Sequence, residues 1–343
     1  MSGLHTSGAS FPPGKLPFDL LGRLLRGYTG RDERVLIGPR VGEDAAVIAF
    51  GETCLVAKTD PITFVTDEIG RYAIHVNAND IAAMGAVPRW FLATILFPEG
   101  RTNQELVEGI FAQLSAACRE LGVSLCGGHT EITYGLDRPI VVGQMLGEVA
   151  KENLVTTAGA QVGDEVILTK GIAIEATSII AREREGDLRS KYPQDLIDRC
   201  KDFLHDPGLS VVRDAEIAVA AGRVHAMHDP TEGGLATGLH ELARAAGVGL
   251  MIRKEAIPVL PETALLCQEF GLDPLGVIAS GSLLITLPPE DSAPVIAALE
   301  EAGIAAAVIG RVWERERGVK LEMGGELVDL PRFERDEIAR LFE

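Results

Sequence analysis

The most constraining feature of the sequence is a polar pair, Asn79 and Asp80, inside an otherwise apolar helical pattern. The pattern covers residues 69–84, and Ile74 and Ile81 recur in it at helical spacing. Asparagine and aspartate are unfavourable inside helices because their side chains compete for backbone hydrogen bonds. Their presence here indicates a site that uses them, and similar polar groups occur elsewhere in the chain.

Three further segments of the first half place polar clusters at the ends of apolar runs. They are Gly42-Glu43-Asp44-Ala45, Lys58-Thr59-Asp60-Pro61 and Gly127-Gly128-His129-Thr130-Glu131. Carboxylates at strand ends can converge on Mg²⁺, which takes one or two of them together with phosphate oxygens and water. Glycine pairs let the backbone approach a phosphate group. Each segment alone is equally typical of an ordinary turn, so the interpretation depends on their occurring together.

The second half contains a glycine-bearing loop between a predicted strand and a predicted helix. The apolar run Val224–Met227 leads into a loop, and a helical pattern follows. The loop contains Asp229, Thr231, Gly233 and Gly234. Free backbone amides and the helix dipole make such a start a natural anion site, with Thr231 as the expected cap. An ordinary capped helix fits the same residues.

Composition excludes several classes of protein. The net charge of −18 over 343 residues repels nucleic-acid backbones, so any nucleotide site must be built locally. No apolar run reaches the roughly 18 residues of a membrane span. Five cysteines without a CxxC pair argue against a disulfide framework and a structural zinc site, and they predict a cytoplasmic protein. Residues 1–15 lack the apolar segment of a secretory signal, and we expect a flexible arm there.

Alternating strand and helix patterns predict an α/β (α+β) fold with two domains. The composition changes at 156–164, where Thr, Ala, Gly and Gln dominate. We therefore expect a first domain over 16–160 and a second over 161–343.

The motifs, taken in their order along the chain, resemble those of a known family. Gly-Glu-Asp-Ala-Ala, Thr-Asp-Pro, Asn-Asp-Ile-Ala-Ala-Met-Gly-Ala-x-Pro and Gly-Gly-His-Thr-Glu occur in this order, followed by Asp-Pro-Thr-x-Gly-Gly. The combination resembles the aminoimidazole-ribonucleotide-synthetase superfamily, above all its hydrogenase-maturation branch, from Gly14 to about Gly310. The resemblance implies two PurM-like domains, with the first forming a barrel with its copy in a homodimer. It also implies that ATP and Mg²⁺ bind between two protomers.

The resemblance also implies roles for individual residues. The expected metal ligands are Glu43, Asp44, Asp60, Asp80 and Asp229. The expected nucleotide contacts are Lys15, Lys58, Thr59, Asn79, Gly127, Gly128, Thr130, Thr231, Gly233 and Gly234. Two positions depart from the family pattern, since Glu43 and His129 stand where relatives often have aspartate or another acid. Because imidazole suits transition metals better than magnesium, we expect His129, with Glu131, to contact substrate or transfer a proton.

The end of the sequence lacks the feature that defines the hydrogenase-maturation branch, a terminal cysteine that carries the carbamoyl group. No cysteine follows Cys267, and 333–342 resembles a short amphipathic helix. Carbamoyl dehydration is therefore not expected. Selenophosphate synthesis is not expected either, because the N-terminal arm has no cysteine. The sequence instead predicts an enzyme that activates a small substrate by phosphoryl transfer from ATP. The alternative is a non-catalytic nucleotide-binding scaffold or assembly factor that acts with another maturation factor.

Overall fold

The computed structural model describes residues 11, 16, 18–30, 32–39, 42–63, 65 and 67–342. Lys15 and nearly all of the expected N-terminal arm lie outside these residues. The helices are α1 Phe18–Tyr28, α2 Ile69–Ala83, α3 Gln104–Leu121, α4 Ile174–Glu183, α5 Glu185–Leu188, α6 Gln194–Asp202, α7 Val212–Ala221, α8 Gly234–Ala246, α9 Pro261–Phe270 and α10 Pro289–Glu301. The strands are β1 Val35–Ile37, β2 Ala46–Phe50, β3 Thr53–Ile62, β4 Val87–Pro98, β5 Ser124–Thr133, β6 Ile140–Ala150, β7 Glu165–Thr169, β8 Ala226–His228, β9 Gly249–Arg253, β10 Leu284–Leu287, β11 Ala306–Trp313, β12 Val319–Met323 and β13 Glu326–Asp329.

The first half forms a six-stranded sheet in the order β1-β2-β3-β6-β4-β5. Only the β4–β5 pair is parallel. Strand β6 alternates buried and partly exposed residues, as expected for a sheet with one face against helices, and α2 packs on it. The sheet leaves β1 and β5 at its edges, so one chain alone does not form the expected barrel.

The second half forms a seven-stranded sheet in the order β13-β12-β9-β11-β7-β10-β8. All of its pairs are antiparallel except β12 with β9. Two separate mixed sheets with helices confirm the predicted two-domain α/β architecture. Strands β12 and β13 were not predicted from the sequence, because neither contains a long apolar run and both lie at one edge of the sheet.

Helix α2 lies between the two halves, and all of its residues except Arg71 are buried. It packs on β3, β6 and α3 and also contacts α7 and β8. The Asn79 amide donates to the Leu209 carbonyl at 2.8 Å and accepts from the Val211 amide at 2.9 Å. Because Asn79 is fully buried, its side chain joins the two halves and does not face an open nucleotide site as expected.

The end of the chain folds onto the second half. The expected helix over 333–342 is wrong, since only a 3-10 segment forms at Glu337–Phe342. The Asp336 carboxylate accepts hydrogen bonds from the backbone amides of Gly233 at 2.7 Å, Ile338 at 2.9 Å and Ile278 at 3.2 Å. Among the described residues, no helix is both long enough and apolar enough to cross a membrane.

Candidate functional site

Four carboxylates converge between the two sheets, and we call them the carboxylate cluster. They are Asp44 before β2, Asp60 on β3, Asp80 on α2 and Asp229 after β8. The Lys58 ammonium lies 2.9 Å from Asp80 and 3.6 Å from Asp60. Asp60 was expected at the end of its strand, but it lies within β3 and pairs with Gly143.

The charged groups of the cluster shift each other's pKa values. Burial and the neighbouring Asp60 and Asp44 raise the pKa of Asp80 to about 7, although Lys58 opposes this. Burial alone would lower the pKa of Lys58, but Asp80 and Asp60 outweigh it and hold that pKa above its ordinary range. Lys58 is therefore a permanent cation beside the acids.

His228 is a residue of the site that sequence reasoning missed. Its Nδ1 lies 2.7 Å from an Asp44 oxygen, and its Nε2 lies 3.1 Å from Glu241. Burial opposes protonation, but the two carboxylates raise the pKa of His228 well above its ordinary value. A carboxylate near each ring nitrogen favours the protonated imidazole, so His228 can serve as a second cation, although its Nδ1 forms no hydrogen bond among the described residues. Its place beside Asp229, after an apolar strand, was the signal that could have revealed it.

Asp229 is the acid of the cluster that most clearly lacks a hydrogen-bond partner among the described residues. Its side chain is 2% exposed, and neither carboxylate oxygen has a hydrogen-bond partner among the described residues. Burial first, then repulsion from Asp80 and Asp44, raises the pKa of Asp229 well above its ordinary value.

A divalent cation fits these oxygens. Ligand atoms of Asp44, His228 and Asp229 lie within 4.8 Å of one another. The oxygen donors of this set are the carboxylates of Asp44 and Asp229, with Asp80 beside them. Oxygen donors of this kind suit Mg²⁺. Glu43, another expected ligand, adjoins Asp44 in the loop before β2.

The expected catalytic residues His129 and Glu131 lie elsewhere in the chain. The segment Gly127–Glu131 was expected in a loop, but all of it lies within the edge strand β5. The His129 and Glu131 side chains are 68% and 55% exposed and lie 3.7 Å apart. Strands β6 and β4 separate β5 from β3, a distance of roughly 14 Å at about 4.8 Å per strand. One chain therefore does not bring Gly127, Thr130, His129 or Glu131 to the carboxylate cluster.

Packing and backbone conformation explain why three of the glycines that were expected to contact the nucleotide, Gly128, Gly233 and Gly234, are glycines. A Cβ at Gly128 would lie 2.0 Å from the Ala93 carbonyl oxygen, and one at Gly234 would lie 2.5 Å from the Leu275 oxygen. Gly233 is the N-cap of α8 with φ +78°. The close approach of neighbouring backbone thus requires glycine at 128 and 234, and the left-handed backbone favours glycine at 233, without any ligand.

The start of α8 differs from the sequence prediction. Thr231 was expected to cap the helix, but Gly233 occupies the N-cap without a side-chain cap. The Gly233 amide is bonded to Asp336, so a phosphate group would have to displace that carboxylate. Thr59, another expected nucleotide contact, donates its hydroxyl to the Gly143 carbonyl on β6 at 2.8 Å.

Glu175 is a second buried acid that the sequence analysis did not identify. It lies in the first turn of α4, is 6% exposed, and its Oε2 has no hydrogen-bond partner among the described residues. Burial raises the pKa of Glu175 to about 8, although a hydrogen bond from Ser280 opposes the shift. Glu232, Asp336 and Asp60 raise it further.

Comparison with known proteins identifies the family of this chain. Residues 42–149 match the AIR synthase related protein N-terminal domain, and residues 161–321 match the C-terminal domain of the same family. The carbamoyl dehydratase HypE of Rhizobium leguminosarum bv. viciae is 32% identical to this chain, over 80% of this chain and 77% of its own length. The chain therefore belongs to the AIR synthase related protein family, as the motifs predicted.

Two further relatives resemble the chain over most of its length. A putative hydrogenase expression/formation protein of Methanocaldococcus jannaschii is 28% identical, over 86% of this chain and 87% of its own. The crystal structure of a hydrogenase maturation protein HypE in complex with ATP is 25% identical, with a TM-score of 0.72. It covers 92% of this chain and 91% of its own.

The raised pKa of Glu175 predicts that the stability of the folded protein depends on pH. Its pKa is about 8 in the folded protein against an ordinary 4.5, so between these values the folded state keeps a proton that the unfolded state has lost. Stability therefore falls as pH rises through this window. We expect Glu175→Gln to raise the free energy of unfolding by on the order of 2 kcal/mol near pH 8.5 and by little near pH 4.5. Urea unfolding at both pH values measures the difference.

The matched control is Glu183→Gln, at an exposed position on the same helix. It should change stability little at either pH. An equal effect of Glu175→Gln at both pH values would contradict the account.

Proposed function

We propose that this protein is an ATP- and Mg²⁺-dependent enzyme that transfers a phosphoryl group to an oxygen of a small substrate. The observation that carries the proposal is the pair of buried Asp229 oxygens without a hydrogen-bond partner among the described residues. Such a group, beside Asp44 and Asp80, is stable as an anion only when a cation joins it. The ATP complex of the related hydrogenase maturation protein supports a nucleotide as the ligand that this cation accompanies.

The residues of the cluster take distinct roles in this proposal. Asp44, Asp80 and Asp229 would hold Mg²⁺, which supplies charge neutralisation at the phosphate oxygens when bound. Lys58 lies in contact with Asp80 and Asp60, so it can turn to a phosphate oxygen while remaining charged. Catalysis of phosphoryl transfer depends mostly on positioning and on such neutralisation. Lys58 lies on β3 and Asp80 on α2, whereas Asp44 directly precedes β2 and Asp229 directly follows β8, so four different elements position the cluster.

Other expected contacts remain part of the proposal. Thr59, Thr231, Gly233, Gly234 and the carboxyl of Glu43 lie in segments beside the cluster. Lys15 would approach from the N-terminal arm. We propose domain limits of 16–160 and 161–343. We also propose a cytoplasmic location, supported by five free cysteines, four of them buried.

The second candidate is an assembly factor that binds nucleotide without turnover. The related hydrogenase expression/formation protein favours it, and it would need a maturation factor as partner. Phosphate release from ATP by the purified protein separates the candidates. The enzyme proposal loses its support if ATP is neither bound nor hydrolysed with any candidate substrate.

We further propose a homodimer in which β5 of a second copy completes the site. Strand β5 is exposed along nearly its whole length, and its Ile132 and neighbouring Tyr134 are 61% and 77% exposed. Long exposed edge strands with apolar side chains are normally covered. A second copy would bring His129 and Glu131 to the ATP site, which one chain does not.

One prediction of the proposed function concerns ATP binding. In a thermal-shift assay we expect ATP to raise the melting temperature only with Mg²⁺, and Asp80→Asn to weaken apparent ATP affinity by at least about tenfold. The physical reason is loss of a carboxylate that faces both the metal and Lys58. Asp195→Asn, at an exposed position on α6, is the matched control and should leave the shift unchanged. An unaltered shift in Asp80→Asn would sink the proposed site.

The second prediction concerns the dimer. We expect sedimentation velocity to show a dimer for the protein and a monomer for Ile132→Lys, because a charge on the β5 edge cannot be buried in an interface. Leu327→Lys, at a 52% exposed position on β13, should remain dimeric. A monomeric wild-type protein, or a dimeric Ile132→Lys variant, would contradict the shared site.

A further inference from the structure

Thr157 places a buried hydroxyl group at the carboxylate cluster, and the roles proposed above do not use it. It lies between the ranges that match the two domains of the family, 42–149 and 161–321, in a 3-10 turn at Thr157–Gly159. Its side chain is fully buried, although a threonine in a connecting segment is ordinarily exposed at the surface. Its burial beside the cluster therefore indicates a role in the site.

The Thr157 hydroxyl group contacts one residue from each half of the chain. Its Oγ1 lies 3.1 Å from Asp44 Oδ2 and 3.2 Å from the Met227 carbonyl oxygen. A hydroxyl group has one proton to donate, and a hydrogen bond to an ionised carboxylate is stronger than one to a neutral carbonyl group. The proton therefore goes to Asp44 when that carboxylate is charged.

Both carboxylate oxygens of Asp44 are contacted by neighbouring side chains. Oδ2 accepts the hydrogen bond from Thr157, and Oδ1 lies 2.7 Å from His228 Nδ1. The other ring nitrogen of His228 lies 3.1 Å from Glu241. These contacts restrict the rotation of the carboxylate from two sides, while each oxygen keeps a further lone pair for a cation. In metal sites, residues that orient the ligands in this way contribute to the affinity for the metal.

The backbone on both sides of this hydrogen bond is closely packed. A Cβ at Gly159 would lie 2.0 Å from the His225 carbonyl oxygen, so the 3-10 turn lies directly against the residue before β8. A Cβ at Gly42 would lie 3.0 Å from the Glu241 carbonyl oxygen on α8. The turn and the loop before β2 are thus both packed on the second half, which keeps the two side chains within hydrogen-bond distance.

We propose that Thr157 is a positioning residue of the cation site, and that its hydroxyl group holds Asp44 Oδ2 so that Asp44 and Asp229 share one cation. Ligand atoms of these two acids lie within 4.8 Å of each other. The inference rests on the proposed function, since it takes Asp44 and Asp229 as cation ligands. It adds that the segment joining the two halves is part of the site, through a residue that acts on the cation only by way of Asp44.

Binding of Mn²⁺ to the purified protein without nucleotide tests this inference. Electron paramagnetic resonance measures the free Mn²⁺ near pH 8, above the pKa of Asp80. Thr157→Val keeps the shape of the side chain and removes its hydroxyl group. We expect it to weaken Mn²⁺ affinity by at least about fivefold, because Asp44 loses a charge-assisted hydrogen bond. Thr157→Ser keeps the hydroxyl group and should bind Mn²⁺ within about twofold of the wild-type affinity.

Thr286→Val is the matched control. Thr286 on β10 is also fully buried, and its hydroxyl group has no hydrogen-bond partner among the described residues, so this change should leave Mn²⁺ affinity unaltered. The zero-field splitting of bound Mn²⁺ depends on how its ligand oxygens are arranged. It should change in Thr157→Val and not in Thr286→Val, whereas a loss of stability alone would not alter it. Circular dichroism confirms that each variant is folded.

The inference is overturned if Thr157→Val binds Mn²⁺ as tightly as the wild-type protein, or if its bound Mn²⁺ keeps the wild-type zero-field splitting. It is also overturned if Thr157→Ser weakens binding as much as Thr157→Val does. In each of these cases the wild-type protein still binds Mn²⁺, so the proposed function stands without this role for Thr157. Absence of Mn²⁺ binding by the wild-type protein would instead overturn the inference and the proposed cation site together.

Discussion

Repulsion among buried carboxylates is the interaction on which the rest of this structure depends. Asp44, Asp80 and Asp229 are each less than a tenth exposed, and each acts electrostatically on at least one of the others. Water cannot screen them well, so their repulsion is stronger than at a surface. Only cations fixed nearby, or protons taken up by the acids, allow the fold to hold them together.

The protein supplies two of those cations from different elements. Lys58 on β3 contacts Asp80 on α2, and His228 at the end of β8 contacts Asp44 before β2. Each contact crosses between elements that are distant in sequence. The second one joins the two halves of the chain, as Asn79 does through its backbone partners. The same charges thus position the two sheets and leave Asp229 available for a further cation.

Helix and strand patterns made much of this fold predictable. The helical spacing of Ile74 and Ile81 predicted α2, and the apolar run Val224–Met227 predicted the strand that forms as β8. Local glycine-rich sequence was misleading, because Gly127 and Gly128 look like a turn but lie in β5 beside Ala93. Whether this segment forms a turn or a strand depends on pairing with residues distant in sequence. A local sequence pattern does not show such pairing.

The same reason limits what the sequence revealed about the site. Asp80 was predictable because an acid inside an apolar helix is unfavourable, and Asp44 and Asp229 were predictable because acids at strand ends occur together with it in the sequence. The burial of Glu175 was not predictable, since it depends on tertiary packing, and its contact with Ser280 joins residues distant in sequence. His129 and Glu131 were expected beside the cluster, but the strand order places them at the opposite edge of the first sheet.

The most direct test of the central claim is electron–nuclear double resonance of Mn²⁺, a substitute for Mg²⁺, bound to the protein with a non-hydrolysable ATP analogue. The account predicts a ³¹P coupling from the nucleotide in a spectrum that differs from that of the free Mn²⁺–nucleotide complex, and loss of this difference in the Asp80→Asn variant. It also predicts no directly bound ¹⁴N, because His228 is held as a cation between Asp44 and Glu241. A spectrum identical to that of the Mn²⁺–nucleotide complex free in solution would contradict the account.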